Sequence, residues 1–294
     1  MKTDYDAIIV GGGPAGLSAA LYLGRSCRSA LVIDLEQPRH AVSKAVHGFP
    51  TRDGVAPARY RELCWEELQK YTKVEKAHGE VTKVEKRTSK LSVMTSRGER
   101  YDARALLLAV GVKDQHPDIP GFQELWGKHV FHCPYCHAWE LRDRPLAVLC
   151  RPPLDWSLTK LLRGWSPQVI CFANGESDEC PLAEDDQVEL KRSPIVSLSQ
   201  VEDEECPLVI TTEDGEIVRC AGLFVPERCR PVELVESLNL SMEETAYIRF
   251  DQEQRTSRDG VWAAGECTKG GQSVLAAAAQ GGRAGQCMNS YLVD

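Results

Sequence analysis

The sequence predicts an α/β fold made of two Rossmann-like (three-layer ββα) domains, and three observations support this prediction. A short apolar run near the start is followed at once by a glycine-rich turn and a helix-like segment. A short strand-like segment and a run of small residues close the chain. Between them lies a second strand–helix–strand pattern. Parallel strands joined by helices build this architecture.

The amino-terminal glycine loop has the GxGxxG pattern between a predicted strand, Asp6 to Val10, and a predicted helix. Glycines at these positions permit a tight turn, let the backbone approach a pyrophosphate and allow close helix–strand packing. The next predicted strand ends at an acidic residue that is placed to accept hydrogen bonds from adenosine ribose hydroxyls. The candidate dinucleotide-binding residues are Gly11, Gly13, Pro14, Ala15, Gly16 and Asp34.

The carboxy-terminal segment over residues 256–267, TSRDGVWAAGEC, distinguishes between NAD and FAD, because the glycine loop alone suits either. This segment resembles the two-dinucleotide-binding flavoprotein reductases, in which a TxxxGVxAAGD pattern closes the FAD site. The resemblance implies FAD as the cofactor, an acid that binds the ribityl chain and a following helix that points at the flavin pyrimidine. Glu266 stands where the family has Asp. The implied contact residues are Gly265, Glu266, Gln272, Ser273 and Val274.

The only CxxC in the chain consists of Cys133 and Cys136, within FHCPYCHAWE. Two thiols at this spacing at a helix start can form a disulfide, and a helix amino terminus stabilises a thiolate. A zinc site would need a second CxxC or a suitably spaced histidine pair, and the other cysteines have no such spacing. We therefore expect a redox pair and no metal.

The position of this pair, after LLLAVG and DIPG, resembles the low-molecular-weight thioredoxin reductases. The resemblance implies that Cys136 lies nearer the flavin, that Cys133 attacks the substrate disulfide, and that the chain forms a homodimer. The family's proton-shuttling acid follows the second cysteine, and here that position is His137. Imidazole titrates near neutrality, so we expect it to exchange protons with the thiols. The alternative is that His137 is a surface residue without a role.

The second domain departs from the NADPH-dependent pattern. Where NADPH reductases have GGGxxA, this chain has CRPPLD over residues 150–155. Prolines remove backbone donors, missing glycines place β-carbons against a pyrophosphate, and Asp155 adds a like charge. The HRRxxxR run that grips the 2′-phosphate is replaced by residues 173–176, ANGE. We therefore expect that the chain does not use NADPH in the usual manner.

Two resemblances remain for the electron source. One is to diflavin-linked disulfide oxidoreductases, with a second FAD in the former NADPH position, and the other is to ferredoxin-dependent flavin thioredoxin reductases. The predicted function is an FAD-dependent thiol-disulfide oxidoreductase that acts on a thioredoxin-like protein or on a small disulfide or dithiol. The CPYCH form is also similar to fungal dithiol oxidases, and a redox-sensing flavoprotein without turnover is a further alternative.

The predicted FAD domain comprises residues 1–115 and 230–294, and residues 116–229 form an inserted NAD(P)H-like domain that carries the CxxC. A formal net charge of -8 argues against nonspecific nucleic-acid binding, which needs excess Lys and Arg. No apolar run reaches the roughly 20 residues needed to span a bilayer. The start of the chain leads directly into the strand and glycine loop, which predicts a cytoplasmic location.

Overall fold

The computed structural model describes residues 3–150, 156–174, 185–226, 228–243 and 246–293. The strands are β1 (Asp4–Val10), β2 (Ala30–Asp34), β3 (Val74–His78), β4 (Val81–Arg87), β5 (Lys90–Thr95), β6 (Arg100–Leu108), β7 (Lys113–Asp114), β8 (Val130–Phe131), β9 (Leu146–Leu149), β10 (Val169–Phe172), β11 (Val188–Lys191), β12 (Ile195–Gln200), β13 (Leu208–Thr212), β14 (Ile217–Cys220), β15 (Gly222–Phe224), β16 (Cys229–Arg230) and β17 (Val261–Ala263). The helices are α1 (Pro14–Arg25), α2 (Pro57–Leu68), α3 (Phe122–Leu125), α4 (Pro134–His137), α5 (Trp156–Leu162), α6 (Glu233–Ser237) and α7 (Val274–Tyr291), with a 3-10 helix at Arg39–Val42.

The chain divides into two compact units. The first contains residues 1–41, 48–113 and 229–294, and the second contains residues 42–47 and 114–228. The short segment 42–47 therefore packs with the second unit, although it lies within the range predicted for the FAD domain. The domain limits drawn from the sequence stay a prediction.

The first unit is built on a sheet with the order β3-β2-β1-β6-β5-β4, and β17 pairs with β6. The β1, β2, β3, β6 and β17 pairings are parallel, whereas β4, β5 and β6 pair in antiparallel fashion. Side chains of β1 alternate between two cores, because successive residues of a strand face opposite sides of the sheet. Ala7 and Ile9 pack with α1 and α7, while Ile8 and Val10 pack on the opposite side with Leu234 and Val235 of α6.

The second unit is built on a parallel sheet with the order β11-β10-β9-β15-β8. The antiparallel strands β12, β13 and β14 cover one of its faces through a shared apolar core that includes Phe122, Leu149 and Ile210. On the opposite face, Phe131 and Ala138 share a core with residues of α5. A short strand, β8, thus leads directly into α4, which carries the CxxC.

The parallel strands of these two sheets confirm the predicted α/β class with two Rossmann-like units. Among the residues that the structure describes, no helix has both the length and the hydropathy required to cross a membrane. Strands β13 and β14 are antiparallel neighbours and form a hairpin around Gly215.

Candidate functional site

The glycine loop between β1 and α1 is packed so tightly that two of its positions have no room for a side chain. A β-carbon on Gly16 would lie 1.9 Å from the carbonyl oxygen of Gly11, which is closer than any real contact. Gly11 itself has φ +105°, and a β-carbon there would lie 2.2 Å from the Ala109 carbonyl oxygen. Gly13 differs, because a β-carbon on it would meet no atom within 4 Å. The loop is therefore closed against the protein at two glycines and open at the third.

Asp34 ends β2, as the sequence predicts, and it is nearly buried. Its carboxylate forms an ion pair with the guanidinium of Arg61, from α2. Sequence reasoning missed Arg61, because α2 is separated from Asp34 by an irregular stretch and no motif links them.

Two buried polar atoms near this pair have no hydrogen-bond partner among the described residues. They are Nε of Arg61 and Nε2 of His40. Burial, with a smaller effect of the Arg61 charge, lowers the pKa of His40. Because nearly all buried polar groups in native proteins are hydrogen-bonded, such orphan atoms indicate that a polar ligand completes this part of the first unit.

The turn after β17 is held by Gln280 of α7. The side-chain oxygen of Gln280 accepts hydrogen bonds from the Gly265 amide and from the Thr268 hydroxyl, both at 2.8 Å. Ser273 caps α7 by accepting a hydrogen bond from the Ala276 amide at 3.1 Å. Gln280 is a second residue that sequence reasoning missed, because it lies inside a small-residue helix that shows no motif of its own.

Glu266 lies directly after this turn and forms an ion pair with Arg39. Both side chains are mostly buried. Arg39 lies in the 3-10 helix after β2. The carboxylate of Glu266, which stands where the family has Asp, is therefore paired with an arginine that is distant in the sequence. The remaining predicted contact residues lie at the start of α7, where Gln272 and Ser273 are exposed and Val274 is partly buried.

These observations fit a bound FAD. Open space lies in front of Gly13, and the two predicted acids, Asp34 and Glu266, are held in fixed positions by arginines. Unsatisfied polar atoms lie beside the first of these acids. The amino terminus of α1, whose first turn contains Pro14 and Ala15, suits a pyrophosphate.

The CxxC of the second unit is closed as a disulfide between Cys133 and Cys136, whose α-carbons lie 5.3 Å apart. Cys133 is the amino-terminal cap of α4, and Pro134 begins the helix. Both cysteines are partly exposed. The predicted pair therefore forms the disulfide that a redox role requires.

His137 lies in the last position of α4, with its ring stacked on Phe131 at a centroid distance of 4.3 Å. Both ring nitrogens are buried and have no hydrogen-bond partner within the described chain. Burial and then the nearby His132 lower the pKa of His137 to about 4, against smaller opposing effects of the Cys133 backbone and Glu140, and His47 contributes least. The expectation that this imidazole titrates near neutrality is therefore wrong for the disulfide form, because the ring is desolvated.

Aromatic side chains surround the disulfide on its exposed side. Tyr135 is 71% exposed and Trp139 is 61% exposed. The ring of Tyr135 meets Trp165 edge-on at 5.6 Å, and the guanidinium of Arg142 lies over Trp139 at 4.1 Å. An accessible aromatic surface therefore adjoins the redox pair.

Residues 151–155 and 175–176, which carry most of the two departures from the NADPH pattern, lie outside the described residues. Among the residues that the structure does describe, no group of His, Cys, Asp or Glu has the arrangement of a metal site.

Comparison with known proteins gives a consistent result. The family model described as pyridine nucleotide-disulphide oxidoreductase matches residues 5–150 and 183–281. Thioredoxin reductase sirT of Leptosphaeria maculans is 30% identical over 97% of this chain and 93% of its own length. Thioredoxin reductase aclD of Aspergillus oryzae is 30% identical over 93% of this chain and 90% of its own.

A solved structure with the same fold shows the same relationship. The oxidoreductase from Agrobacterium tumefaciens superposes with a TM-score of 0.91 at 29% identity, over 100% of this chain and 99% of its own. The family match covers both sides of the CxxC and includes the glycine loop and the carboxy-terminal FAD segment. The chain therefore belongs to the pyridine nucleotide-disulphide oxidoreductase family, as a thioredoxin reductase-like flavoprotein enzyme.

Proposed function

We propose that this protein is an FAD-dependent thiol-disulfide oxidoreductase that passes electrons through Cys136 and Cys133 to a disulfide substrate. The observation that carries the proposal is the closed, partly exposed Cys133–Cys136 disulfide at the start of α4. When bound, FAD supplies a two-electron reduction of that disulfide. The residues proposed to hold it are Gly11, Gly13, Pro14, Ala15, Gly16, Asp34, Gly265, Glu266, Gln272, Ser273 and Val274.

The thiol chemistry then follows from the two cysteines. Two electrons and two protons convert the disulfide into two thiols. The thiolate of Cys133 attacks one sulfur of the substrate disulfide and releases the other as a thiolate. Cys136 then attacks the mixed disulfide, so that the Cys133–Cys136 bond forms again and the second substrate sulfur leaves.

His137 acts as the proton acceptor in this proposal. Its imidazole directly follows Cys136 in α4, so we assign it the transfer of a proton from a thiol and back to a departing thiolate. The pKa of about 4 belongs to the disulfide form and has to rise in the dithiol form for this transfer. The same arrangement serves the reverse direction, in which a substrate dithiol is oxidised. Dithiol oxidation is therefore the second candidate function.

A thioredoxin-like protein is the proposed partner, because curated relatives bear the name thioredoxin reductase. The proposed electron source is not NADPH used in the conventional manner, because residues 150–155 lack the glycines of a pyrophosphate loop. A ferredoxin or a second FAD takes that role. A cytoplasmic homodimer completes the proposal, and a flavoprotein that senses redox state without turnover is its non-catalytic alternative.

The test compares Cys133→Ser with Cys206→Ser, which changes a partly exposed cysteine of the same unit that forms no disulfide. After anaerobic chemical reduction of the flavin, the unmodified protein and Cys206→Ser should cleave a chromogenic aryl disulfide and reduce thioredoxin. Cys133→Ser should retain flavin and lose both activities. Full turnover in Cys133→Ser would refute the assignment.

An anaerobic titration with NADPH tests the electron source. We expect the visible band of the oxidised flavin to persist. The flavin released per chain then separates the two remaining sources, because one flavin favours an external donor and two favour the diflavin arrangement. Rapid bleaching by stoichiometric NADPH would overturn the proposed loss of conventional NADPH use.

A further inference from the structure

Segment 42–47, which packs with the second unit, ends at a histidine that pairs with an acid close to the redox helix. Nε2 of His47 lies 3.5 Å from Oε1 of Glu140, and Glu140 follows the end of α4 at His137 by three residues. The side chain of His47 is mostly buried, and that of Glu140 is about half exposed. Neither side chain is fully exposed, so water screens their charges less than it screens those of a freely exposed pair.

Two further contacts hold segment 42–47 on the second unit. Gly127 has φ +75°, and a β-carbon there would lie 2.6 Å from Cγ2 of Val42, so the Val42 side chain packs directly on the Gly127 backbone. Burial, and then the charge of Lys44, lowers the pKa of His129. Both contacted residues precede β8, which leads into α4. The segment therefore runs beside the stretch of chain that leads to the disulfide, and its last residue is held in place by more than one ion pair.

His137 is subject to the charges of both members of this pair. After burial, the groups that act on its pKa are His132, the Cys133 backbone, Glu140 and His47, in order of decreasing effect. Glu140 favours the protonated imidazole, whereas His47 disfavours it. Because these two groups act with opposite signs and pair with each other, each weakens the effect of the other on His137.

The same charges act on the thiols that form when the disulfide is reduced. Cys133 caps α4, and Cys136 lies within it, directly before His137. A thiol that loses its proton becomes an anion, so a negative neighbour raises the pKa of the thiol and a positive neighbour lowers it. We propose that His47 and Glu140 are positioning residues of the redox centre, which together set the proton affinity of the reduced cysteine pair and of His137. This inference rests on the proposed thiol-disulfide function and adds two residues to it.

The two residues should have opposite effects when they are replaced. Glu140→Gln removes a negative charge, so the pKa values of the thiols and of the imidazole should decrease. His47→Gln removes the partner of that carboxylate, so Glu140 acts unopposed and the same pKa values should increase. A merely structural role has a different signature, because a loosened turn after α4 would change both variants in the same direction.

The experiment measures the pH dependence of alkylation by iodoacetamide in the FAD-loaded protein, after reduction with dithiothreitol and anaerobic removal of the reductant. The thiolate is the reactive form, so the pH of half-maximal rate gives the pKa of the thiol. Mass spectrometry of the peptide that contains Cys133 and Cys136 separates their reaction from that of the exposed Cys27. We expect this pKa to decrease by at least about 0.5 pH unit in Glu140→Gln and to increase by at least about 0.3 pH unit in His47→Gln.

Asp143→Asn is the matched control, because it removes a nearby carboxylate that is almost fully exposed. Asp143 has φ +64°, a conformation that Asn also adopts, so the control should fold normally. We expect the thiol pKa of this control to stay within about 0.2 pH unit of that of the unmodified protein. Glu140→Gln and His47→Gln combined should give a pKa close to that of Glu140→Gln alone, because His47 acts mainly through the carboxylate. Thermal unfolding verifies that each variant is folded.

Three results would overturn the proposal. They are shifts of the same sign in Glu140→Gln and His47→Gln, shifts no larger than that of Asp143→Asn, and single shifts that simply add in the double variant. The alkylation readout needs neither a substrate nor flavin turnover. Full turnover in Cys133→Ser would refute the proposed function and leave these pKa differences in place, so the two failures are distinguishable.

Discussion

The two units each contain a set of parallel strands, and they differ at the segments that follow these strands. In the first unit, β1 leads into the glycine loop. Of Gly11, Gly13 and Gly16 in that loop, only Gly13 has open space in front of it. In the second unit, β9 leads into a segment without glycines, and the chemistry lies instead after β8, at Cys133. A shared sheet topology therefore does not determine what a unit binds, because binding is decided by a few residues at the carboxyl ends of the strands.

The two units also differ in the charged groups that they bury near their candidate sites. The first unit holds two ion pairs beside its glycine loop and its last strand, Asp34 with Arg61 and Glu266 with Arg39. Around the disulfide of the second unit, the buried titratable group is His137, which is kept neutral by desolvation. The first unit therefore holds its buried charges in pairs, whereas burial beside the disulfide removes the charge of the imidazole.

Among the substitutions that test this difference between the units, Gly16→Val should have the largest effect on stability and flavin content. A β-carbon there would lie 1.9 Å from the Gly11 carbonyl oxygen, and backbone cannot yield as a flexible side chain can. We expect destabilisation by more than about 4 kcal/mol and complete loss of flavin. Gly79→Ala, where the new methyl would be in ordinary contact at 3.6 Å, is the control for thermal unfolding and flavin content. A stable Gly16→Val protein with stoichiometric flavin would contradict the prediction.

Gly13→Ala should separate binding from folding. The backbone of Gly13, at φ -79° and ψ -176°, suits any residue, and the methyl group would enter open space. We expect an unfolding temperature within about 2 °C of the unmodified protein and at least tenfold weaker FAD binding, or about 1.4 kcal/mol. Titration of the apoprotein with FAD measures this. An unchanged dissociation constant would show that the space in front of Gly13 is not part of the flavin site.

A double-mutant cycle on Arg39→Gln and Glu266→Gln tests the fixed charges of the first unit. Each single change leaves a mostly buried charge without its partner, so the two effects should couple by about 1–2 kcal/mol in urea unfolding of the apoprotein. The exposed pair Lys113 and Glu233 is the control, with an expected coupling of about 0–1 kcal/mol. Equal coupling in the two cycles would show that burial does not strengthen the pair of Arg39 and Glu266.

His137→Gln should have the smallest effect and the most specific pH dependence. The folded-state pKa of about 4 is below the ordinary histidine pKa of 6.5, so the unfolded chain binds the extra proton between these values. Stability is therefore unaffected above pH 6.5 and falls as the pH decreases towards 4, by at most about 1.4 kcal/mol per pH unit.

The variant lacks this group, so its urea midpoint should fall less than that of the unmodified protein between pH 7 and pH 5. Substitution of the exposed His78 by Gln is the control. Parallel pH dependence in His137→Gln and the unmodified protein would contradict the low pKa of His137.

The sequence by itself determined the fold class and the local motifs. The end of β2 at Asp34, the helix start at Pro134 and the turn at Gly265 all depend on residues close together in the chain. Local propensity, glycine geometry and apolar periodicity operate over such distances, so these features could be predicted.

Only the tertiary structure decided the partners of these motifs. Arg61 reaches Asp34, Arg39 reaches Glu266, and Gln280 holds Gly265, each across a separation that no local pattern records. The neutral state of His137 likewise depends on burial, which the sequence FHCPYCH does not reveal. Long-range contacts and desolvation arise only when distant segments pack together. These two effects determine the pKa values, and therefore the charges, of the side chains in a site.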